Sequence, residues 1–222
     1  MMLQLRQSGS DRAIRPGKII CLGRNYPAHA KEMNAEVPSV PVLFLKPASA
    51  LIEDGGVVRI PPFSRELHHE VEMVLLVGPG GTNIPEDEAL QHVLGYAVGL
   101  DMTLRDVQAE AKKKGLPWSV AKGFDTSAPI SPFVPAERVR DPHALDIRLS
   151  VNGTVRQQSN TRHMIFGIKR MIAYISSIFT LEQGDLIFTG TPDGVGPAQP
   201  GDILLAELQD VGSLTVSVAQ GG

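Results

Sequence analysis

The sequence predicts an α+β protein that is rich in short β-strands. Glycine and proline are frequent, with 22 and 17 of 222 residues, and aromatic residues make up only 5%, a composition typical of many turns. Apolar residues form mostly short runs bounded by turn residues, as strands do, and only a few stretches show helical spacing. The length suits one sizeable domain. We therefore expect a single domain over residues 1–222, with residues 1–17 as a short N-terminal extension.

The charge and cysteine content narrow the class of protein. The formal net charge is −3, and lysine and arginine are dispersed apart from Lys112–Lys114, which we predict to solvate the end of a helix. A single cysteine, Cys21, excludes an internal disulfide and reads as a small buried strand residue. No apolar run approaches the ~18 residues of a spanning helix, and no signal-peptide pattern opens the chain. We expect a cytoplasmic protein without a membrane or nucleic-acid partner.

The first half of the chain alternates strands with short helices. Residues 18–23 predict a buried strand, and a short helix over residues 28–33 follows it, with His29 and Glu32 at a spacing of three. Further strands are predicted at 42–45, 67–77 and 95–102, and further helices at 86–93 and from an N-cap at Thr103 to Gly115.

The second half contains a hairpin, one amphipathic helix and two more strands. Asn152-Gly153 between alternating segments is a strong hairpin turn signal. Methionine and isoleucine recur at helical spacing over residues 162–178, which predicts a helix packed on the core. Two Gly-Asp turns introduce strands at 186–188 and 203–205, with a glycine- and proline-rich loop over residues 189–200 between them.

A three-carboxylate group is the main chemical signal. Side chains alternate faces along the strand at 67–77, so Glu70 and Glu72 share one face with Val74 and Leu76. Two like charges on a surface that becomes apolar require a basic partner, a shifted pKa or a bound ion. Asp101 ends a later strand, and oxygen-only ligands favour Mg2+, Mn2+ or Ca2+. The alternative is a solvent-facing edge strand with two ordinary glutamates.

Five motifs in fixed order resemble the fumarylacetoacetate hydrolase family, most of all its short single-domain members that act as acylpyruvate hydrolases or oxaloacetate decarboxylases. The motifs are Gly23-Arg24-Asn25-Tyr26, His68-His69-Glu70-Val71-Glu72, Asp101-Met102-Thr103, Ala121-Lys122-Gly123-Phe124-Asp125 and Thr189-Gly190-Thr191-Pro192-Asp193-Gly194-Val195-Gly196. The resemblance implies a mixed β-sandwich roll with short peripheral helices and a homodimer. It also implies Mg2+ held by Glu70, Glu72 and Asp101. The larger fumarylacetoacetases have a further acidic ligand that has no match in this chain.

The resemblance also implies roles for residues around the metal. His29 and Glu32 form the dyad that activates water, although the same spacing alone fits a solvated helix face. Lys122 stabilises a developing enolate or a substrate oxygen, with a surface lysine as the alternative. The expected substrate contacts are Arg24, Tyr26, Arg105, Gln108 and Thr191. Arg105 could equally be a salt-bridge partner, and the loop around Thr191 could need its glycines for shape alone.

The expected activity is hydrolysis of a carbon–carbon bond in an acylpyruvate, a small 2-oxo acid, to pyruvate and a carboxylic acid. The alternatives are an oxaloacetate decarboxylase and a 2-oxo acid tautomerase or isomerase, because all three reactions pass through an enolate that a metal can stabilise. A non-catalytic metal-binding protein is a further alternative. The presence of His29, Glu32 and Lys122 beside all three acids argues against it.

Overall fold

The computed structural model describes residues 4–9, 13–33 and 35–222, and two packed β-sheets dominate it. The strands are β1 (Leu5–Arg6), β2 (Ala13–Ile14), β3 (Ile19–Gly23), β4 (Val42–Lys46), β5 (Leu51–Ile52), β6 (Val57–Ile60), β7 (Leu67–His69), β8 (Val71–Val77), β9 (Val93–Leu100), β10 (Thr103–Leu104), β11 (Ala128–Pro129), β12 (Val134–Pro135), β13 (Asp146–Val151), β14 (Thr154–Asn160), β15 (Leu186–Phe188), β16 (Gly196–Ala198), β17 (Ile203–Leu208) and β18 (Gly212–Gln220). The α-helices are α1 (Pro27–Glu32), α2 (Arg105–Lys114), α3 (Ser119–Lys122) and α4 (Ile168–Ser176). The predicted β-rich α+β fold with short peripheral helices is confirmed.

The larger sheet has six strands in the order β12-β9-β8-β15-β3-β4. It is mixed, since β15 runs parallel to β3 and the other neighbours are antiparallel. Strand β8 lies in the interior of this sheet, between β9 and β15, and every residue of it is buried. The solvent-facing edge strand is therefore excluded for the acidic segment.

The second sheet has five strands in the order β14-β13-β17-β18-β6 and packs on one face of the first. Met73 and Leu75 of β8 belong to the core between the sheets, together with Leu149 and Leu204. Val74 and Leu76 belong to a second core on the opposite face of the larger sheet, with Cys21 buried beside them. The predicted alternation of β8 and the predicted burial of Cys21 are confirmed.

The acidic segment divides between two sheets at Glu70. Strand β7 pairs with β10 and β16 in a small three-stranded sheet, whereas β8 pairs with β9 and β15 in the large one. The single strand predicted over residues 67–77 is thus two strands. Glu70 lies at their junction, where the segment passes from one set of partners to the next.

Three helix predictions differ from the structure. Residues 86–93 form only a 3-10 turn at Ala89–His92, because Val93 already pairs with Val77 in the large sheet. Thr103 is not an N-cap, since it pairs with His68, and α2 begins after Leu104. The helix predicted over residues 162–178 is shortened to α4, because Thr161–His163 forms a separate 3-10 turn.

Several other local predictions are confirmed, although the loop predicted over residues 189–200 contains strand β16 and the helix predicted over residues 28–33 lies one residue earlier. Helix α1 begins at Pro27, a residue whose fixed φ suits the first helical position. Helix α2 ends at Gly115, which has a left-handed φ of 66°. Asn152 and Gly153 have φ values of 50° and 78°, as a type I′ turn requires, and they join β13 to β14.

The N-terminal segment packs on the body of the protein. Strand β1 pairs with β2, and Leu5 is buried in the second core. The backbone N–H of Phe133 donates to the carbonyl of Arg6 at 2.9 Å. Residues 1–3 and 10–12 of the predicted extension lie outside the described residues. Within the described ranges, no helix has both the length and the apolar character needed to cross a membrane.

Candidate active site

Three acidic side chains meet at one end of the large sheet. Carboxylate oxygens of Glu70, Glu72 and Asp101 all lie within 4.8 Å of one another, and the three residues are buried. The antiparallel register that pairs Glu72 with Gly99 places Asp101 beside the junction between β7 and β8. The backbone N–H of Asp101 donates to the carbonyl of Glu70 at 2.8 Å, which fixes this approach.

Two of the three carboxylates have basic partners. Arg105 donates to Glu70 Oε1 at 2.5 Å. Lys122 Nζ donates both to Glu70 Oε2 at 2.7 Å and to Asp101 Oδ2 at 2.6 Å. Arg105 forms a salt bridge with Glu70 and also lines the cavity, and Lys122 is a buried residue and not a surface lysine.

A second buried lysine, Lys46, was missed by the sequence analysis. Its ammonium lies 2.8 Å from Asp101 Oδ1 as an ion pair without hydrogen-bond geometry, and it donates to the carbonyl and hydroxyl of Ser127 at 3.0 Å each. It also donates to the carbonyl of Lys122. The available signal was a charged residue at the end of the apolar strand β4, directly before Pro47.

Glu72 differs from the other two acids because it has no basic partner. Within the described residues, no lysine, arginine or histidine nitrogen lies within 4.0 Å of its carboxylate, and Oε2 accepts the backbone N–H of Gly190 at 2.7 Å. Burial, together with Asp101 and Glu70, raises the pKa of Glu72 well above its ordinary value. Burial alone would also raise the pKa of Glu70, but Lys122 and Arg105 outweigh it and hold that pKa well below its ordinary range.

These residues fit a hard divalent cation. All three donors are carboxylate oxygens, the set that Mg2+, Mn2+ and Ca2+ prefer. Glu72 is a buried acid without a countercharge, and a cation would supply one. In the described part of the chain, the hydroxyl of Tyr26 and Oδ1 of Asp101 are buried without a hydrogen-bond partner, and burial together with Glu72 raises the pKa of Tyr26.

A cavity of about 370 Å³ opens above the carboxylates. The predicted site residues that line it are Arg24, His29, Glu70, Glu72, Arg105, Gln108, Lys122 and Thr191. Tyr26 and Asp101 are buried and are absent from the lining, and Glu32 lies behind His29. The structure thus gathers eight of the eleven predicted residues around one cavity and places the other three around it.

Helix α1 presents the His29–Glu32 pair to this cavity. His29 Nδ1 lies 3.2 Å from Glu32 Oε2, and the histidine is only 6% exposed. The other oxygen of Glu32 accepts the backbone N–H of Gly194 at 3.0 Å. The alternative of a solvated helix face is excluded for this pair. The imidazole is buried, and the carboxylate of Glu32 contacts both His29 and the N–H of Gly194.

The loop after β15 reaches the site because β15 runs antiparallel to β8. Thr189 donates its backbone N–H to the carbonyl of Met73 at 3.1 Å, so the next residue, Gly190, meets Glu72. Gly190 has a φ of 93°, and a Cβ there would lie 2.6 Å from the Cβ of Asn25. Glycine is therefore required for this close approach.

Gln157 orders the site from the other sheet, and it was missed by the sequence analysis. Its amide nitrogen donates to Thr191 Oγ1 at 2.9 Å and to the carbonyl of Pro192 at 3.0 Å. Its oxygen accepts the backbone N–H of Val71 at 3.0 Å and contacts His69 Nδ1 at 3.1 Å. The sequence contains no local signal for this role, since Gln157 is one of several polar residues in a hairpin strand.

The lysine run at the end of α2 is not uniform. Lys114 pairs with Glu110 at 2.7 Å on the surface, as a solvated helix end predicts. Lys112 instead lines the cavity, with its ammonium 5.2 Å from the centre of the Trp118 ring. Lys112 is exposed at the helix end as predicted, and its place in the cavity lining is a feature that the sequence analysis did not predict.

Residues 18–219 match the family model described as fumarylacetoacetate (FAA) hydrolase C-terminal. The chain is 54% identical over 200 residues to oxaloacetate tautomerase FAHD1, mitochondrial, of Mus musculus, with 90% of each chain covered. A crystal structure of fumarylpyruvate hydrolase from Pseudomonas aeruginosa in complex with Mn2+ and pyruvate has a TM-score of 0.94 and 39% identity, covering 99% of this chain and 96% of that one. The 5-carboxymethyl-2-hydroxymuconate delta-isomerase of Mycobacterium smegmatis has a TM-score of 0.84 and 38% identity, with 93% and 80% covered.

Proposed function

Because this chain belongs to the fumarylacetoacetate hydrolase family, we propose that it is a metal-dependent enzyme that cleaves a carbon–carbon bond of an acylpyruvate. Water and the 2,4-dioxo acid would give pyruvate and a carboxylic acid. The observation that supports this reaction is the buried His29–Glu32 pair, which faces a cavity whose other wall contains Glu70 and Glu72. The P. aeruginosa relative, a fumarylpyruvate hydrolase in complex with Mn2+ and pyruvate, supports the same chemistry.

Glu70, Glu72 and Asp101 would hold the cofactor. We propose Mg2+, with Mn2+ and Ca2+ as the alternatives that an all-oxygen donor set accepts. When bound, the ion would supply Lewis-acid stabilisation of negative charge on the oxygens of a 2-oxo acid. The three carboxylates are oriented for this by separate contacts, with Arg105 on Glu70, Gly190 on Glu72 and Lys46 on Asp101.

His29 would act as the general base. Its Nδ1 faces Glu32, so the ring presents Nε2 as the nitrogen that removes a proton from water. The hydroxide would attack the C4 carbonyl carbon, and the C3–C4 bond would break. The electron pair of that bond would leave with the pyruvate enolate, which would take up at C3 the proton that His29 removed from water. Glu32 would stabilise the imidazolium while it holds the proton.

Lys122 would stabilise the enolate oxygen. Its ammonium now donates to Glu70 and Asp101. These two bonds use two of the three N–H donors of the ammonium, and Lys122 lines the cavity, so its third donor would act on developing charge of the substrate. The proposed substrate contacts are Arg24, Tyr26, Arg105, Gln108 and Thr191, of which Tyr26 is buried outside the cavity lining. Thr191 can donate its O–H because its oxygen already accepts from Gln157.

Tautomerisation of oxaloacetate is the second candidate, favoured by the 54% identical mouse relative of that name. It needs no attacking water, only the transfer of a proton between the enol oxygen and C3. Decarboxylation of oxaloacetate would generate the same pyruvate enolate and is a further alternative. His29 would serve tautomerisation as a proton carrier and would not be required for decarboxylation.

The test is a parallel assay of acetylpyruvate hydrolysis, oxaloacetate tautomerisation and oxaloacetate decarboxylation with Mg2+ or Mn2+. His29→Ala should lower hydrolysis by about 10²–10⁴-fold and leave decarboxylation in place. His163→Ala, an exposed histidine outside the cavity lining, is the matched control. Full retention of hydrolysis in His29→Ala would refute the role of this residue. Metal binding without turnover of any 2-oxo acid would favour a non-catalytic binding protein.

The remaining expectations belong to the same proposal. We propose one catalytic domain over residues 1–222, with residues 1–17 as its extension. A homodimer and a cytoplasmic location are likewise proposals. Light scattering of the purified protein tests the homodimer. Cell fractionation tests the cytoplasmic location, and the alternative is a mitochondrial location, as in the name of the mouse relative.

A further inference from the structure

The turn between β3 and α1 has a backbone conformation that its sequence does not favour. Arg24 has a φ of 58°, in the left-handed region that a residue with a Cβ seldom adopts. We propose that Asn25 is a positioning residue, which holds Arg24 in this conformation and thereby directs the guanidinium of Arg24 to the substrate. This inference rests on the proposed function, in that it assumes that Arg24 contacts a 2-oxo acid in the cavity.

Arg24 differs from the other residues with this backbone conformation. Among the described residues, five that are not glycine have a positive φ, and Arg24 is the one that lines the cavity. Three of the other four are asparagine or aspartate, whose short polar side chains can stabilise the left-handed region by local hydrogen bonds. An arginine has no such means of its own, so its surroundings must impose the conformation.

The side chain of Asn25 joins this turn to two segments that are distant in sequence. Its Nδ2 donates to the carbonyl of Thr189 at 2.8 Å and to the carbonyl of Phe166 at 3.1 Å, and its Oδ1 accepts the backbone N–H of Phe166 at 2.8 Å. The orientation of the amide is unambiguous, because a backbone carbonyl only accepts and a backbone N–H only donates. Asn25 is fully buried, so water does not replace these bonds.

Gly23 and Asn25 together determine the conformation of Arg24. Gly23 pairs with Val42 in the large sheet, which fixes the residue on one side. On the other side, Asn25 packs directly on the loop after β15, since a Cβ at Gly190 would lie only 2.6 Å from the Cβ of Asn25. Arg24 alone connects these two fixed positions, and it does so with a left-handed φ.

The guanidinium of Arg24 has no ion pair to place it. In the part of the chain that the structure describes, no carboxylate oxygen lies within 4.0 Å of it, whereas Arg105 pairs with Glu70. Partial burial lowers the pKa of Lys112, and Arg24 is one of the positive charges that lower it further, so Arg24 faces like charge in the cavity. The backbone therefore directs Arg24, and an anionic group of the substrate would supply its missing partner.

The test is a double-mutant cycle on the affinity for a 2-oxo acid. The probe is 2-oxopentanoate, which has the chain length of acetylpyruvate but lacks the 4-oxo group and cannot be cleaved, titrated calorimetrically in the presence of Mn2+. Arg24→Met and Asn25→Ala should each weaken binding about tenfold, the effect of one charge-assisted contact. The double variant should bind no more weakly than Arg24→Met, because Asn25 acts through Arg24. Asn25→Ala should keep wild-type affinity for Mn2+.

A matched control separates positioning from stability. Asn160 is also buried, donates to Asp146 and accepts the backbone N–H of Arg162, and it lies outside the cavity lining. Asn160→Ala should lower Tm, as Asn25→Ala does, but should keep wild-type affinity for 2-oxopentanoate. Asn25→Ser, which retains one hydrogen-bonding group, takes the place of Asn25→Ala in the cycle if the alanine variant does not fold.

A second measurement tests the backbone conformation itself. Arg24→Gly should have a higher Tm than Arg24→Ala, because glycine adopts a left-handed φ without strain. The inference is overturned if these two variants have equal Tm, if wild type does not bind 2-oxopentanoate, or if Asn160→Ala weakens that binding as Asn25→Ala does. An equal effect of Asn25→Ala with and without Arg24, or a parallel loss of Mn2+ affinity, would also overturn it. Absence of acetylpyruvate turnover with the predicted cycle intact would overturn only the hydrolase proposal.

Discussion

The carboxylate of Glu32 accepts the backbone N–H of Gly194 at 3.0 Å, and this bond joins helix α1 to the loop that borders the cavity. The other oxygen of the same carboxylate lies 3.2 Å from His29 Nδ1. Gly194 has a φ of 87°, and a Cβ there would lie 2.1 Å from the carbonyl oxygen of Arg156. The loop can therefore offer this N–H only if the position is glycine.

Glu32→Gln should lower kcat of acylpyruvate hydrolysis about 100-fold with little change in KM. Glutamine keeps the size of the side chain and an acceptor for Gly194, but it loses the charge that stabilises a protonated His29. Steady-state kinetics with acetylpyruvate measure this. Glu36→Gln removes an exposed acid four residues later and should have wild-type rates. A normal kcat in Glu32→Gln would exclude the dyad.

Gln157→Leu should reduce the free energy of unfolding by about 2–4 kcal/mol. The leucine fills the volume but leaves the N–H of Val71 and the groups of His69 and Thr191 without their buried partner. Urea unfolding followed by circular dichroism measures the change. Gln158→Leu, on the exposed side of the same strand, is the matched control and should be nearly neutral. Equal losses in the two variants would contradict this role.

Lys46→Met should destabilise the metal-free protein by about 3–5 kcal/mol. It leaves Asp101 with one fewer countercharge in a fully buried site and removes the donor to the carbonyl and hydroxyl of Ser127. Thermal unfolding measures the loss, with Lys31→Met as an exposed control. Because a bound cation would also neutralise Asp101, saturating Mn2+ should reduce the difference. A difference that Mn2+ leaves unchanged would place Lys46 outside the metal site.

Glu72→Gln should stabilise the metal-free protein, with a rise in Tm of about 3 °C at neutral pH. The pKa of Glu72 is raised in the folded protein above its ordinary value of 4.5. Between the unfolded and the folded pKa, the folded state therefore binds more protons than the unfolded state. Stability of wild type therefore falls as pH rises through this window, and glutamine removes that loss. Differential scanning calorimetry should show the gain at pH 8 and none at pH 4. A destabilised variant at pH 8 would show that Glu72 already has a countercharge.

The sequence was sufficient to predict the meeting of the three acids. Alternation along a strand determines the face of Glu70 and Glu72, and the family resemblance adds Asp101 at the end of a later strand. The hairpin at Asn152-Gly153 and the end of α2 at Gly115 were equally predictable, because their positive φ angles have local sequence signatures. Apart from Asp101, these features depend on residues close in sequence or on simple periodicity.

The features that escaped prediction depend on tertiary pairing. Lys46 and Gln157 reach the site from β4 and β14, which local patterns cannot connect to the acids. The helix predicted over residues 86–93 was wrong because Val93 belongs to the sheet. The sequence does not distinguish Lys112 from Lys113 and Lys114, because only the tertiary structure determines which face of α2 lines the cavity.

The whole account requires that the three carboxylates bind one divalent cation. Calorimetric titration of metal-stripped protein with Mn2+ should give one site per chain in wild type and affinity weakened by more than about tenfold in Glu72→Gln. Glu66→Gln, which removes an exposed acid of the neighbouring segment, should retain wild-type affinity. Absence of binding in wild type, or equal binding in Glu72→Gln, would contradict the account.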